Sequence, residues 1–147
     1  MLKNEKGQAV APKTVTMTKK DFEDQGNTRV YWLGGGGAMI NDHGTVIMID
    51  PLLEGFDMPL LIDMPIDVKD VPHVDAILVS HVDNDHYSRP TCRDLKAVCK
   101  EYHTSYYVAS LMKEECDVDG IGHDIGDHIQ INDIDVELTP ADHAWQN

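Results

Sequence analysis

Apolar and polar positions change period several times along this chain, and each change predicts a new element. Residues 1–13 are polar and aperiodic and read as a loose leader. Thr14–Thr18 alternates as a strand can, and Lys19–Gln25 has room for a short helical turn. A clearer strand covers Arg29–Leu33, and the glycines Gly34–Gly37 separate it from Ala38-Met39-Ile40. The segment Asn41-Asp42-His43-Gly44 has hairpin chemistry, with glycine available for positive φ. It joins that strand to Thr45–Asp50, which ends at Pro51, so two antiparallel neighbours are expected.

Pro51, Pro59, Pro65 and Pro72 punctuate the next stretch and predict an irregular excursion rather than a long helix. Val74–Ser80 then has Ala76-Ile77-Leu78-Val79 apolar on both faces, which predicts a buried central strand. Ser88–Tyr102 reads as one helix, with Pro90 in its first turn and Leu95, Val98, Cys99 and Tyr102 at helical spacing. Tyr106–Ala109 reads as a strand, and Ser110 as the cap of a helix over Leu111–Cys116. Short strands are expected over Ile121–Asp127, His128–Ile131 and Asp135–Thr139. The order is hairpin strands, then strand–helix–strand–helix, then short strands. It predicts a layered α/β fold with a mixed sheet and flanking helices, not a doubly wound one.

Composition changes the picture in one respect. The 147 residues suit a single domain, and 41% hydrophobic and 26% charged content is ordinary, but the formal net charge is −14. Such a surface repels phosphate backbones and anionic headgroups, so no nucleic-acid and no membrane partner is expected. A small anionic substrate at a locally cationic metal remains compatible. Cys92, Cys99 and Cys116 form neither a disulfide framework nor a CxxC site and read as packing residues, the first two on one face of the predicted helix. The N-terminus lacks an apolar signal region, and no apolar run approaches the roughly 20 residues of a membrane span, so a cytoplasmic location is expected.

Chemistry concentrates in His81-Val82-Asp83-Asn84-Asp85-His86, directly after the buried strand and before a helix. Loops at the carboxyl ends of buried strands are where α/β folds hold their ligands. Two imidazoles and two carboxylates within six residues suit zinc, iron or manganese better than calcium. His81 and Asp83 project to one side of an extended segment, while Asp85 and His86 can turn towards a second point.

The run from Val74 to His86 resembles the signature of the metallo-β-lactamase superfamily, which normally reads HxHxDH after an apolar strand. Tyr31-Trp32-Leu33-Gly34 through Ile49-Asp50-Pro51 resembles that superfamily's opening hairpin and Asp-Pro turn, and the combination is most similar to the ascorbate-6-phosphate lactonase-like branch. The resemblance implies an αββα sandwich with one or two divalent metal ions at one edge, of which Arg29 to His143 would be the N-terminal half. It implies His81 and Asp83 as ligands of a first metal, Asp85 and His86 of a second, and His143 as the third protein ligand of the first. Asp85 is also the implied catalytic group, orienting a water or taking its proton, and Asp50 the aspartate that supports the site from behind.

Asp83 stands where the family usually has His, which hardens the first site towards manganese or iron without excluding zinc. If Asp83 falls short of the metal, the centre is mononuclear. The family's bridging aspartate and last histidine belong to a C-terminal half that residues 14–147 do not contain. The expectation is a partial domain, weakly active or inactive alone, whose apolar face is covered by a homo-oligomer or by the missing half.

The leading functional expectation is a metal-dependent hydrolase of a small, anionic lactone or ester. A phosphodiesterase or nuclease of the same superfamily is the second, with the acidic charge against a polymeric substrate. A non-catalytic metal-binding or assembly module is the third. Other polar features read more plainly. Gly34–Gly37 is a bulged connection or a close backbone approach to substrate or metal. Asp117–Gly122 is an Asp/Gly turn, His123 and His128 are surface or hydrogen-bonding residues, His43 and His73 lie in loops, and His103 ends a helix.

Overall fold

The computed structural model describes residues 3–7, 10–11, 13–58 and 60–141. Strands β1 (Thr28–Gly34), β2 (Gly37–Asp42) and β3 (Thr45–Ile49) form an antiparallel meander. His43 and Gly44 both take positive φ, 49° and 91°, between β2 and β3, as a two-residue hairpin turn requires. The chain then crosses an irregular stretch, with one short 3-10 turn over Val68–Asp70, before β4 (Val74–Leu78) pairs parallel to β3. That stretch still buries Leu52, Leu53, Ile66 and Val71.

Two expectations fail next. Helix α1 covers only Arg89–Asp94, capped by Ser88 Oγ, which accepts from the Thr91 amide at 3.2 Å. Cys99–Ser105 is a strand, β5, parallel to β4, so Cys92 and Cys99 do not share a helix and His103 lies mid-strand rather than at a helix end. The apolar spacing of Leu95, Val98, Cys99 and Tyr102 fits a helix, but pairing with buried β4 satisfies the backbone and overrides that preference. Tyr106–Ala109, expected as a strand, opens helix α2 (Tyr106–Cys116), and its N-cap is Ser105, not Ser110. Val108, Met112 and Cys116 recur every fourth residue and are all buried. Each such apolar side chain contributes roughly 1.5–3 kcal/mol, enough to fix the helix against the sheet. Asp117 ends α2 in the left-handed region and pairs with Lys96 and Lys113, so the expected Asp/Gly turn over Asp117–Gly122 holds only for its first residues, because Gly120–Gly122 already pair with β5.

Strand β6 (Gly120–His123) completes a six-stranded mixed sheet in the order β1-β2-β3-β4-β5-β6. A separate hairpin follows, β7 (His128–Ile131) and β8 (Ile134–Glu137). Val46, Met48 and Ile77 enter a large core with Tyr87, Leu95, Val108 and Met112 on the helical side. Ile47 and Ala76 enter a smaller core with Ile129 and Ile131 of the hairpin. Burial on both faces explains the continuous apolar run of β4. Thr14–Thr18 is not a strand; Met17 N donates to Pro65 O at 2.8 Å and Thr14 Oγ1 to Asp63 O at 2.7 Å. Among the described residues no helix is long and apolar enough to cross a membrane.

Candidate metal centre

Because β3 and β4 run parallel, their carboxyl ends deliver Asp50 and Ser80 to the same edge of the sheet. Asp50 adopts φ 45°, a left-handed conformation that Asp tolerates better than most residues, and its side chain is buried. Its Oδ1 accepts from the Ser80 amide at 2.7 Å and its Oδ2 from the Ser80 hydroxyl at 2.6 Å. Oδ2 also lies 2.8 Å from His86 Nδ1.

Donor and acceptor roles then constrain the Nδ1 atom of each imidazole. A carboxylate only accepts, so His86 Nδ1 carries a hydrogen, and in the neutral ring Nε2 is the nitrogen left for a metal. Ser80 gives its one hydroxyl proton to Asp50, so at 2.9 Å its oxygen accepts from His81 Nδ1, and in the neutral ring Nε2 is the nitrogen that could take a metal. Each Nε2 faces a carboxylate: His81 Nε2 lies 3.4 Å from Asp83 Oδ2, and His86 Nε2 lies 3.6 Å from Asp85 Oδ2. With neutral rings two electron-rich ends face each other in both pairs, an arrangement relieved either by a proton on Nε2 or by a cation between them. Donors bound at about 2.1 Å to a tetrahedral ion lie about 3.4 Å apart, so both spacings fit a shared metal. The two imidazole rings are 4.0 Å apart at their centroids.

The loop is pinned at both ends. His86 N and Tyr87 N both donate to Asp83 O, at 2.9 and 2.7 Å, which curls Asp83–Tyr87 into a single turn. Tyr87 is fully buried, with its hydroxyl 3.3 Å from Cys116 Sγ, and Ser88 begins α1. The predicted residues His81, Asp83, Asp85 and His86 are therefore brought together as two nitrogen–oxygen pairs. His143 lies outside the described residues. Among the described residues, no three His, Cys, Asp or Glu side chains converge on one point. Each pair would need further donors. Burial pushes the Cys92 thiol upward and the Cys99 thiol up to about 11.

Sequence reasoning gave Ser80 no role, although its hydroxyl links Asp50 to His81. The available signal was a hydroxyl residue directly before the first histidine. The glycine run divides its tasks. Gly34 and Gly35, with φ of 107° and 54°, make the bulged turn, whereas Gly36 lies against His86. A Cβ at position 36 would sit 2.9 Å from His86 Cε1 and 3.3 Å from Nδ1. The close approach is to His86, one of the candidate metal ligands. Gly36→Ala is thus a steric probe of the ring. It is expected to weaken metal affinity about 10-fold or more by tilting His86 off Asp50, as read by competition with a chromophoric chelator.

The family model described as "Beta-lactamase superfamily domain" matches residues 45–147, from β3 through the His81–His86 motif to His143. The chain belongs to the beta-lactamase superfamily. No curated protein gives a significant match. Solved structures similar to this superfamily member include CmlA, a diiron beta-hydroxylase from Streptomyces venezuelae, with TM-score 0.64 and 14% identity over 78% of this chain and 24% of that one. A metallo hydrolase from the archaeon Ignicoccus hospitalis gives TM-score 0.57 and 19% identity over 79% of this chain and 49% of its own. An isothiocyanate hydrolase from Delia radicum gut bacteria gives 0.52 and 20% over 68% and 43%. At these identities the likeness is one of fold. The chain spans less than half the length of each of these three structures.

Proposed function

We propose that this chain carries the metal-binding part of a cytoplasmic metal-dependent hydrolase that acts on a small, anionic lactone or ester, in the manner of the ascorbate-6-phosphate lactonase-like branch. The observation that carries the reading is the two imidazole–carboxylate pairs, each with its ring held by a hydrogen bond at Nδ1 and its Nε2 turned towards a carboxylate at 3.4 or 3.6 Å. His81 and Asp83 would hold one ion, with His143 as its third protein ligand, and His86 and Asp85 a second. Asp83 favours manganese or iron over zinc at the first position, and the likeness to a diiron enzyme supports iron as a candidate. A bound divalent ion would acidify a water and polarise the oxygen of the group under attack.

The protein's own part is positional. Asp50 keeps His86 Nδ1 protonated, Ser80 does the same for His81, and Gly36 leaves the His86 ring in place. Asp85 is about half exposed, which lets it orient a water and take its proton. A C-terminal half or a second copy would supply further ligands and walls. The acidic charge sets the nuclease reading behind this one.

The test uses the longest reading frame containing this sequence, reconstituted with zinc, manganese or ferrous ion. One or two ions per chain are expected, with turnover on lactones or esters in a panel that also includes phosphodiesters and thioesters. His86→Ala should lose an ion and the turnover together. A folded protein that takes up no ion, or turnover that survives chelation, would sink the proposal. Metal uptake without turnover on any substrate would leave the binding-module reading in its place.

A further inference from the structure

A second group of histidines lies apart from the metal motif, on the sheet face that looks towards the β7–β8 hairpin. A cavity of about 510 Å³ separates the two there, walled by Leu78, Ser80, His103, His123, Val136 and Glu137 among others. His103 is buried on β5, with Nε2 3.1 Å from Glu101 Oε2 and Nδ1 2.9 Å from His123 Nε2 at the end of β6. His123 Nδ1 in turn faces Asp127 Oδ2 at 3.8 Å.

We infer that Glu101, His103 and His123 form a hydrogen-bonded chain of one fixed direction, which makes His123 Nδ1 its single proton-accepting nitrogen on the wall of the inter-sheet cavity. The Glu101 carboxylate can only accept, so His103 carries its hydrogen on Nε2 and presents a lone pair at Nδ1. That lone pair requires a donor, so His123 carries its hydrogen on Nε2. Only His123 Nδ1 is left without a hydrogen. A proton added there comes from solvent or from a cavity ligand bearing O–H or N–H, breaks no bond in the chain, and lies beside Asp127.

A proton added to His103 instead would enter at Nδ1 and set two N–H groups against each other. Burial already lowers the affinity of His103 for a proton, and His123 adds to this, against the hydrogen bond and charge of Glu101. The charged groups around His123 are Glu101 on β5, Asp124 and Asp127 in the turn after β6, and Glu137 on β8. All are carboxylates, so an added proton meets compensating charge. In this arrangement Glu101 and His103 are positioning residues for His123.

Long-range nitrogen–proton correlation spectra of the imidazoles in the full chain test this directly. Near pH 8 both His103 and His123 should show the Nε2–H form. On acidification His123 should gain a proton at Nδ1 while His103 keeps its tautomer. Glu101→Leu should release His103 to a tautomer mixture, and Glu101→Gln, which keeps an accepting oxygen, should restore it. The inference is overturned if His103 shows the Nδ1–H form, if it takes the first proton, or if Glu101→Leu leaves both spectra unchanged. These readouts need no metal and no turnover.

Discussion

Asp50→Asn is expected to lower metal affinity by about 10–100-fold while leaving the chain folded. Asparagine keeps an oxygen for the Ser80 amide and tolerates the left-handed backbone at this position. What changes is the group facing His86 Nδ1 across 2.8 Å. A carboxylate oxygen accepts there, but an amide nitrogen donates. The imidazole must then present its lone pair at Nδ1 and carry hydrogen on Nε2, where the metal would bind. Asp50→Ala should damage metal binding to a similar degree but also cost about 2–4 kcal/mol, because two donors of Ser80 and one of His86 lose a buried acceptor. Chelator competition reads the affinity, urea unfolding the stability, and imidazole nitrogen spectra the tautomer. An Asp50→Asn protein with a wild-type His86 tautomer and wild-type affinity would refute the role given to Asp50.

The motif was legible because it is local. Six consecutive residues contain four of the five candidate donors, and the short apolar run before them fits a strand buried on both faces. The β2–β3 hairpin was legible for the same reason, since Asn41-Asp42-His43-Gly44 holds the turn chemistry within four residues. Contacts between distant segments were not. Ser80 acquires its role only when parallel pairing brings β3 and β4 into register. The boundary between α1 and β5 failed because Leu95, Val98, Cys99 and Tyr102 satisfy helical spacing, and only the neighbour β4 decides otherwise. That one error displaced His103 from a strand interior to a helix end and hid its contact with His123. The helix over Tyr106–Cys116 was half visible, since Val108, Met112 and Cys116 recur at four-residue intervals; the aromatic pair Tyr106 and Tyr107 drew the reading towards a strand although both are exposed.

Asp75→Ala is expected to cost about 2–3 kcal/mol at neutral pH. Asp75 is buried on β4, and its Oδ2 accepts from the Val46 amide of β3 at 2.8 Å, so removing it leaves a buried donor unsatisfied. Its Oδ1 accepts from Lys100 at 2.5 Å, but the lysine is two-thirds exposed and returns to water when the partner is lost. The loss is therefore smaller than for a pair buried on both sides. Burial alone raises the proton affinity of this carboxyl. The hydrogen bonds from Lys100, the Val46 amide and Asn132, with the charge of Lys100, together outweigh it and hold the group below its ordinary 3.8. A carboxylate with a depressed folded value stabilises the fold above its unfolded value, and that contribution fades as pH falls through the folded one. The gap between wild type and Asp75→Ala in urea midpoints should hence be full at pH 7 and narrow below about pH 4. Asp75→Asn separates the two contacts, because its oxygen still accepts from Val46 while its charge is gone. It should cost less than alanine by a margin that does not change with pH, since the titrating carboxyl belongs to wild type and narrows both gaps alike. Equal losses for both variants would mean that Lys100, and not the Val46 amide, sets the value of Asp75.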